Sequence, residues 1–259
     1  MELSLSELKE FLDEKHDQFN NSSFIETDPI SIPHQFSKKE DIEIAGFFSA
    51  TISWGQRPII LRNASKLMEM MDNSPHDFII NHLPHDLKPF EKFVHRTFNG
   101  VDCKYFIRAL NNIYKYHKGL EYVISNAINK NDETIKNGLT QLKAVFFDLD
   151  NHSVRTMKHV SSPHKNSSCK RLNMYLRWMV RNDKRGVDFG IWENINQAQL
   201  CCPLDIHTGK IARKLGILKR NQDDWKAVME LTNCLKKLNP YDPIKYDFAL
   251  YGLGVFEQF

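Results

Sequence analysis

Between Lys170 and Gly216 two helices are expected, with their starts marked by chemistry rather than by apolar pattern alone. The stretch opens CKRLNMYLRWMVR and closes CCPLDIHTGKIARKLG. At 100° per residue, Leu172, Tyr175, Leu176 and Met179 share one arc and face a core. Lys170, Asn173, Arg177 and Arg181 share a second stripe nearly opposite. That stripe reads as a basic face turned outward, either simply solvated or set against a polyanion. Lys170 falls in the first helical turn, where unpaired N–H groups and the helix dipole disfavour a cation by roughly 0.3–1 kcal/mol. With partial burial the same field favours the neutral amine, the form that attacks a carbon in Schiff-base chemistry.

The second helix follows Pro203 and Asp205, with Leu204, Ile211, Ala212 and Leu215 at helical spacing and Gly216 as its stop. Asp205 is its N-terminal residue. A plain cap of that kind is worth about 1 kcal/mol. The other reading is that Asp205 meets Lys170, 35 residues earlier, in a cleft.

PLDIHTGKIARKLG resembles a segment of the helix-hairpin-helix DNA glycosylases, matching it at Pro203, Asp205, His207, Arg213, Leu215 and Gly216. The resemblance implies that Asp205 is the catalytic carboxylate and that Lys170 stands where bifunctional members carry a nucleophilic lysine. The Lys–Asp separation is nearer the archaeal 8-oxoguanine glycosylase branch than the endonuclease III branch. DIEIAGFFSATISWGQRPIILRNASKLMEMM (41–71) resembles the early helix pair of these enzymes, and DPIKYDFALYGLG (242–254) resembles their closing helix. These stretches cover roughly two-fifths of the chain. The whole sequence is also similar to an uncharacterised bacterial family known as a domain of unknown function. Two departures stand out. SSPHKNSSCK (161–170) takes the place of the glycine-bearing hairpin that holds a DNA phosphate, and the four-cysteine iron–sulfur loop is missing.

The resemblance implies an all-α, helix-hairpin-helix glycosylase-like fold, with two helical subdomains flanking a cleft. Within one domain spanning 1–259, one subdomain covers 40–150. The hairpin and catalytic segment covers 151–222, and 1–39 with 223–259 complete the second subdomain.

The chain's 259 residues give ample core for one large domain or two intimate ones. Glycine is scarce, at 11, and no alternating strand pattern runs through the sequence, so it reads as mostly helical. No run of 18 apolar residues marks a membrane span, and MELSLSELKEFLDEKH has no signal-peptide pattern. Five cysteines without C-x-x-C spacing suit a reducing cytoplasm and buried thiols better than a metal site. Net charge is +3 but uneven. From 158 to 220 thirteen Lys and Arg face four acids, an excess of nine, which leaves the remaining chain six negative. Such asymmetry suits a polyanion docking on one region, or an acidic face of the same protein.

In chain order, helices are expected at 2–16, 40–53, 59–71, from Pro75, after Asn99-Gly100, over 119–149, at 223–238 behind Asp223 or Asp224, and at the C-terminus. Residues 17–38 read as a wrapping loop. Ala144–Leu149 has a short strand as its alternative. His152 to Lys170 is a loop rich in His, Ser and Lys. VDFGIW (187–192) places Phe189 and Trp192 between the two chemical helices, either to stack on bases or to anchor the loop. Trp54 and Gln56, at an interhelix turn, either approach a base pocket or plug the core and cap a helix.

The function expected from the resemblance is excision of a damaged base from duplex DNA, an oxidised purine being one candidate. Lys170 forms an imine with the sugar, assisted by Asp205, and the enzyme is a cytoplasmic monomer without cofactor or metal. Lys165, Arg171, Arg177, Arg181 and His207 hold nucleic acid. Trp54, Gln56, Phe189 and Trp192 line the base pocket. The rival reading is a non-catalytic nucleic-acid-binding protein on the same frame, with RNA in place of DNA as a further variant.

Overall fold

The structure is a computed structural model that describes residues 4–150, 153–257 and 259. It is mostly helical. In chain order the described residues form α1 (Leu5–Phe19), α2 (Ser23–Thr27), α3 (Lys39–Thr51), α4 (Arg57–Glu69) and α5 (Pro75–Asn81). A two-stranded antiparallel ribbon follows, β1 (Val94–His95) with β2 (Phe98–Asn99), His95 opposite Phe98. Then come α6 (Gly100–Tyr116), α7 (Leu120–Ser125), α8 (Lys136–Phe146), α9 (Lys170–Val180), α10 (Ile206–Lys214), α11 (Trp225–Leu238) and α12 (Tyr246–Val255). Among the described residues no helix is long and apolar enough to cross a membrane.

The chain divides into two compact units. One comprises Met1–Phe24, Lys130–Lys136 and Ser162–Phe259; the other comprises Ile25–Asn129 and Asn137–Ser161. The division differs from the sequence boundaries in three places. Residues 25–39 and the segment before Ser162 go with the 40–150 helices, and 130–136 crosses to the unit that holds both termini. The expected loop at 17–38 contains α2 and two single 3-10 turns, Pro29–Ser31 and Pro33–Gln35. Proline opens each of these turns because its fixed φ suits a first helical position. The strand alternative at 144–149 is lost, since α8 runs through Phe146. The expected helix at 2–16 is α1, its described part beginning at Leu5 behind a Ser4–Glu7 capping box; residues 2 and 3 lie outside the described residues.

In the second unit α3 is buried along its whole length from Ile42 to Thr51. Its Phe47 and Phe48 are buried against Phe106, Phe47 also against Phe146, with the Phe106 and Phe146 rings 4.7 Å apart. Each such ring contributes roughly 1.5–3 kcal/mol through area removed from water. Helix α6 begins where Asn99 and Asp102 form a capping box. Gly100 is required there: a Cβ would stand 2.4 Å from the Glu91 carbonyl oxygen.

Asp102 is the polar anchor of this unit. Its carboxylate accepts from the Asn99 N–H at 2.9 Å, from Thr156 Oγ1 at 2.7 Å and from Arg155 Nη1 at 2.7 Å, and lies 3.5 Å from His159 Nε2. Burial alone would push this carboxyl up. His159, the Asn99 amide and the Thr156 hydroxyl outweigh burial and hold it well below the usual carboxylate range. A folded-state value below the unfolded one gives stability that is present above about pH 4 and lost as pH falls further. Asp102→Asn should therefore cost about 3 kcal/mol in urea unfolding at neutral pH. The gap from wild type should narrow as both proteins are taken below pH 4; a pH-independent gap would contradict this account.

Candidate functional site

In the first unit α12 is the central element, packed against both α1 and α10. Small residues allow the approach: a Cβ at Gly252 would stand 2.1 Å from the Phe19 ring, and one at Gly254 would be 3.1 Å from His207. Helix α9 is buried from Leu172 to Val180 on every side, not along one stripe.

The chain enters α9 through 161–170. Pro163–Lys165 makes one 3-10 turn, Asn166 adopts a left-handed conformation, and so does Cys169 immediately before Lys170. Asparagine tolerates that region and cysteine does so at a cost, so the two residues do what glycines would do more easily. The segment is tied to the start of α11. Asn166 Nδ2 donates to Asp224 Oδ2 at 2.9 Å, and the Trp225 N–H donates to the Asn166 carbonyl at 3.2 Å. Asp224 also caps α11.

Lys170 and Asp205 meet. Lys170 Nζ stands 3.7 Å from Asp205 Oδ2, with the side chains 24% and 23% exposed. The other Asp205 oxygen, Oδ1, accepts the Thr208 N–H at 3.0 Å and caps α10. The cap and the pairing expected from the sequence are thus both present, one on each oxygen. The Cys202 N–H donates to Thr232 Oγ1 at 3.1 Å, which fixes the approach of Asp205 to α10. Lys170 Nζ also lies 3.3 Å from Met174 Sδ.

Behind this pair lies a buried cage of charge. Arg177 is 3% exposed and Arg181 is fully buried. Arg177 donates through Nη1 to Asp247 Oδ2 at 2.5 Å and through Nε to Asp188 Oδ1 at 3.2 Å. Arg181 donates through Nη1 to Asp188 at 3.1 Å and through Nε to both Asp242 oxygens, and its Nη2 stands 2.9 Å from Asp183. The Phe248 ring lies 4.1 Å from the Arg177 guanidinium and 5.5 Å from that of Arg181. Burial raises the Asp188 carboxyl against the pull of both arginines. Burial likewise pushes Asp247 up to about 6; Arg177 opposes it, Asp205 reinforces it and Lys170 opposes it.

Two sequence expectations are corrected here. Arg177 and Arg181 do not face outward toward phosphate. The wheel placed them opposite the apolar arc correctly, but the loop after α9 and the segment 242–248 cover that face and bring carboxylates to it. The acids at 183, 188, 242 and 247 were the available signal. Trp192 is also not open to a base. It is 2% exposed and edge-on to Tyr175 at 5.5 Å, and its backbone N–H donates to the Met179 carbonyl. Phe189 is half-buried, its N–H on the Trp178 carbonyl. The 187–192 loop is therefore laid along the end of α9.

Lys165 and His207 are exposed, and Arg171 is half-buried, its guanidinium lowered to about 10 by burial. Trp54 and Gln56 belong to the second unit. Trp54 is half-buried, edge-on to His95 at 5.0 Å and stacked on His159 at 5.8 Å, while Gln56 is exposed at the start of α4. His159 is thus engaged with Asp102, and His152 lies outside the described residues. Among the described residues no group of three His, Cys, Asp or Glu side chains is arranged to hold a metal ion. The cysteines are free; burial pushes the Cys201 thiol up to about 12 and holds the Cys202 thiol well above its ordinary value, which disfavours the thiolate at both.

A family model described as "Protein of unknown function (DUF2400)" matches residues 28–256. No curated protein and no solved structure matches the chain.

Removing Arg181 leaves Asp183, Asp188 and Asp242 without their shared cation. Arg181→Ala should cost about 3–5 kcal/mol in urea unfolding. Lys165→Ala, at an exposed position, should stay within about 0.5 kcal/mol of wild type. Equal effects of the two would contradict the buried cage.

Proposed function

The chain belongs to the DUF2400 family, whose description assigns no activity, and from the site itself we propose that the protein is a DNA glycosylase with lyase activity, working through Lys170 and Asp205. The observation that carries this reading is the 3.7 Å approach of Lys170 Nζ to Asp205 Oδ2 at the starts of two helices. The resemblance of 203–216 to the corresponding segment of helix-hairpin-helix glycosylases supports it. The helix-hairpin-helix frame, a cytoplasmic setting and a monomer acting on duplex DNA are parts of the same proposal.

The reaction begins with a base rotated out of the duplex. The Lys170 amine attacks C1′ of the sugar as the C1′–N bond breaks. The bonding electrons leave with the base, which takes up a proton. The sugar ring then opens to an imine on Nζ. The ionised Asp205 carboxylate, held in place by the Thr208 N–H, offsets the positive charge that develops on the sugar. Lys165, Arg171 and His207 remain as the phosphate contacts of this reading. The positive excess of 158–220 survives the burial of Arg177 and Arg181, because Asp183 and Asp188 match them within the same segment.

A second reading, a non-catalytic nucleic-acid-binding protein, has one observation in its favour: the positive excess of 158–220 suits a polyanion without any reaction at Lys170.

Borohydride trapping on duplexes carrying an abasic site or 8-oxoguanine separates the two. Wild type should form a covalent complex and Lys170→Ala none. Asp205→Asn should bind the duplex but form the adduct about 10²–10⁴-fold more slowly. DNA binding without an adduct on any lesion would leave the second reading, and loss of both would sink the proposal.

A further inference from the structure

Helix α9 starts without the device that usually fixes a helix start. No side chain caps it, and the residue before it, Cys169, is left-handed with φ at 50°. The place of its first residue, Lys170, is then set by whatever holds the preceding turn. Two bonds hold that turn from within. Asn173 Nδ2 donates to the Ser168 carbonyl at 3.1 Å, and the Cys169 N–H donates to Ser167 Oγ at 3.3 Å. Both stay inside the turn and α9, so neither relates Lys170 to the helix that Asp205 begins.

That relation comes through Asp224. Its Oδ2 accepts Asn166 Nδ2 at 2.9 Å, and the backbones of Ser167 and Asp224 pair as an isolated antiparallel bridge. Arg220 binds the same carboxylate through two atoms, Nε to Oδ1 at 2.7 Å and Nη2 to Oδ2 at 2.5 Å. The Arg220 carbonyl in turn accepts Arg213 Nε at 2.8 Å, and Arg213 lies on α10. Arg213, Arg220, Asp224 and Asn166 thus form an unbroken hydrogen-bonded path. It runs from the helix that Asp205 caps to the turn that leads into Lys170.

Capping α11 does not by itself call for this carboxylate. The Ala227 N–H takes one oxygen, Oδ1, at 3.1 Å, and a serine caps a helix about as well. The second oxygen and the full charge serve Asn166 and Arg220. Arg220, the Ala227 amide and Asn166 hold the Asp224 carboxyl well below the usual carboxylate range, so it stays an ionised acceptor near neutral pH.

We propose that Asp224 is a positioning residue for the Lys170 reaction: it ties the 166–169 turn to α10, through Arg220 and Arg213, and so sets where Lys170 stands relative to Asp205. The inference rests on the Lys170 reading above. Asp224 acts through the turn and not on sugar or base. Its effect is geometric, and a misplacement of about 1 Å at a reacting group costs up to 10²-fold in rate. Lys170 Nζ is already 3.7 Å from Asp205 Oδ2, so a small shift in the start of α9 parts the pair.

The test is single-turnover borohydride trapping on an abasic duplex with protein in excess. It separates the rate at saturating protein from the half-saturating concentration. Asp224→Ser keeps a cap for α11, but its one oxygen lies too near the backbone to reach Asn166 or Arg220. Asn166→Gly keeps the left-handed turn and deletes the side chain that Asp224 holds. Each should lower the saturated rate about tenfold and leave the half-saturating concentration within about twofold of wild type. Loss of folded protein does the reverse: it raises the half-saturating concentration and spares the saturated rate. The double variant should be no slower than the slower single one, because both changes remove the same tie. A wild-type saturated rate in either single variant, or a double variant about 10²-fold down, would overturn the Asp224 role alone. Absence of any adduct with wild type would overturn the Lys170 reading and this role with it. Should Asp224→Ser fail to fold, Asn166→Gly, which leaves the α11 cap untouched, decides by the same two quantities.

Discussion

Two guanidinium groups shared among four carboxylates fix the part of the molecule on which the site is built. Arg177 and Arg181 project from one helix and collect Asp183 and Asp188 from the loop that follows it, Asp242 from the segment before the closing helix, and Asp247 from that helix. Stripping water from so many charges costs several kcal/mol each unless the partners are placed well. The cage therefore tolerates few arrangements, and the one it adopts sets the position of α9 against both. Lys170 heads that helix. Its aim toward Asp205 depends on a framework that charge, not apolar packing alone, has made specific.

The pair itself is economical in atoms. One Asp205 oxygen ends the chain of unpaired amides at the start of α10, and the other faces the lysine. A residue held this way has little rotamer freedom left, which suits a group whose orientation decides its chemistry. The neighbouring Cys201 and Cys202 are buried, and Lys170 stands partly exposed beside the aspartate. The segment ahead of Lys170 reaches its tight turn without glycine, through left-handed Asn166 and Cys169. Its ties to Asp224 show what holds that turn in place of glycine's conformational freedom.

Much of this was legible in the sequence, unevenly. The cap at Asp205 and the start of α6 after Asn99 are local events, set by side chains bonding to backbone within three residues, and the start of α9 at Lys170 follows the apolar period of its own residues without a side-chain cap. The sense of the basic stripe was not legible. A helical wheel gives the angle between Arg177 and Leu176, but it cannot say what arrives at each face. The carboxylates that bury Arg177 come from 11 and 70 residues away in sequence. The same holds for Trp192, whose loop position looked exposed until Tyr175 and the carbonyl of Met179 received it. The two-residue strands at 94–99 are too short to show a period, and Asp247 was visible only as one letter in the closing helix.

The central claim is that a specific amine, Lys170 Nζ, makes the bond to sugar. Its most direct test is the mass of the proteolytic peptides released from the borohydride-reduced protein–DNA complex after nuclease digestion. The account predicts that the sugar mass is found on the peptide containing Lys170, and that fragmentation places it on that side chain. Sugar attached to Lys165, to another lysine or to the chain's amino terminus would contradict it.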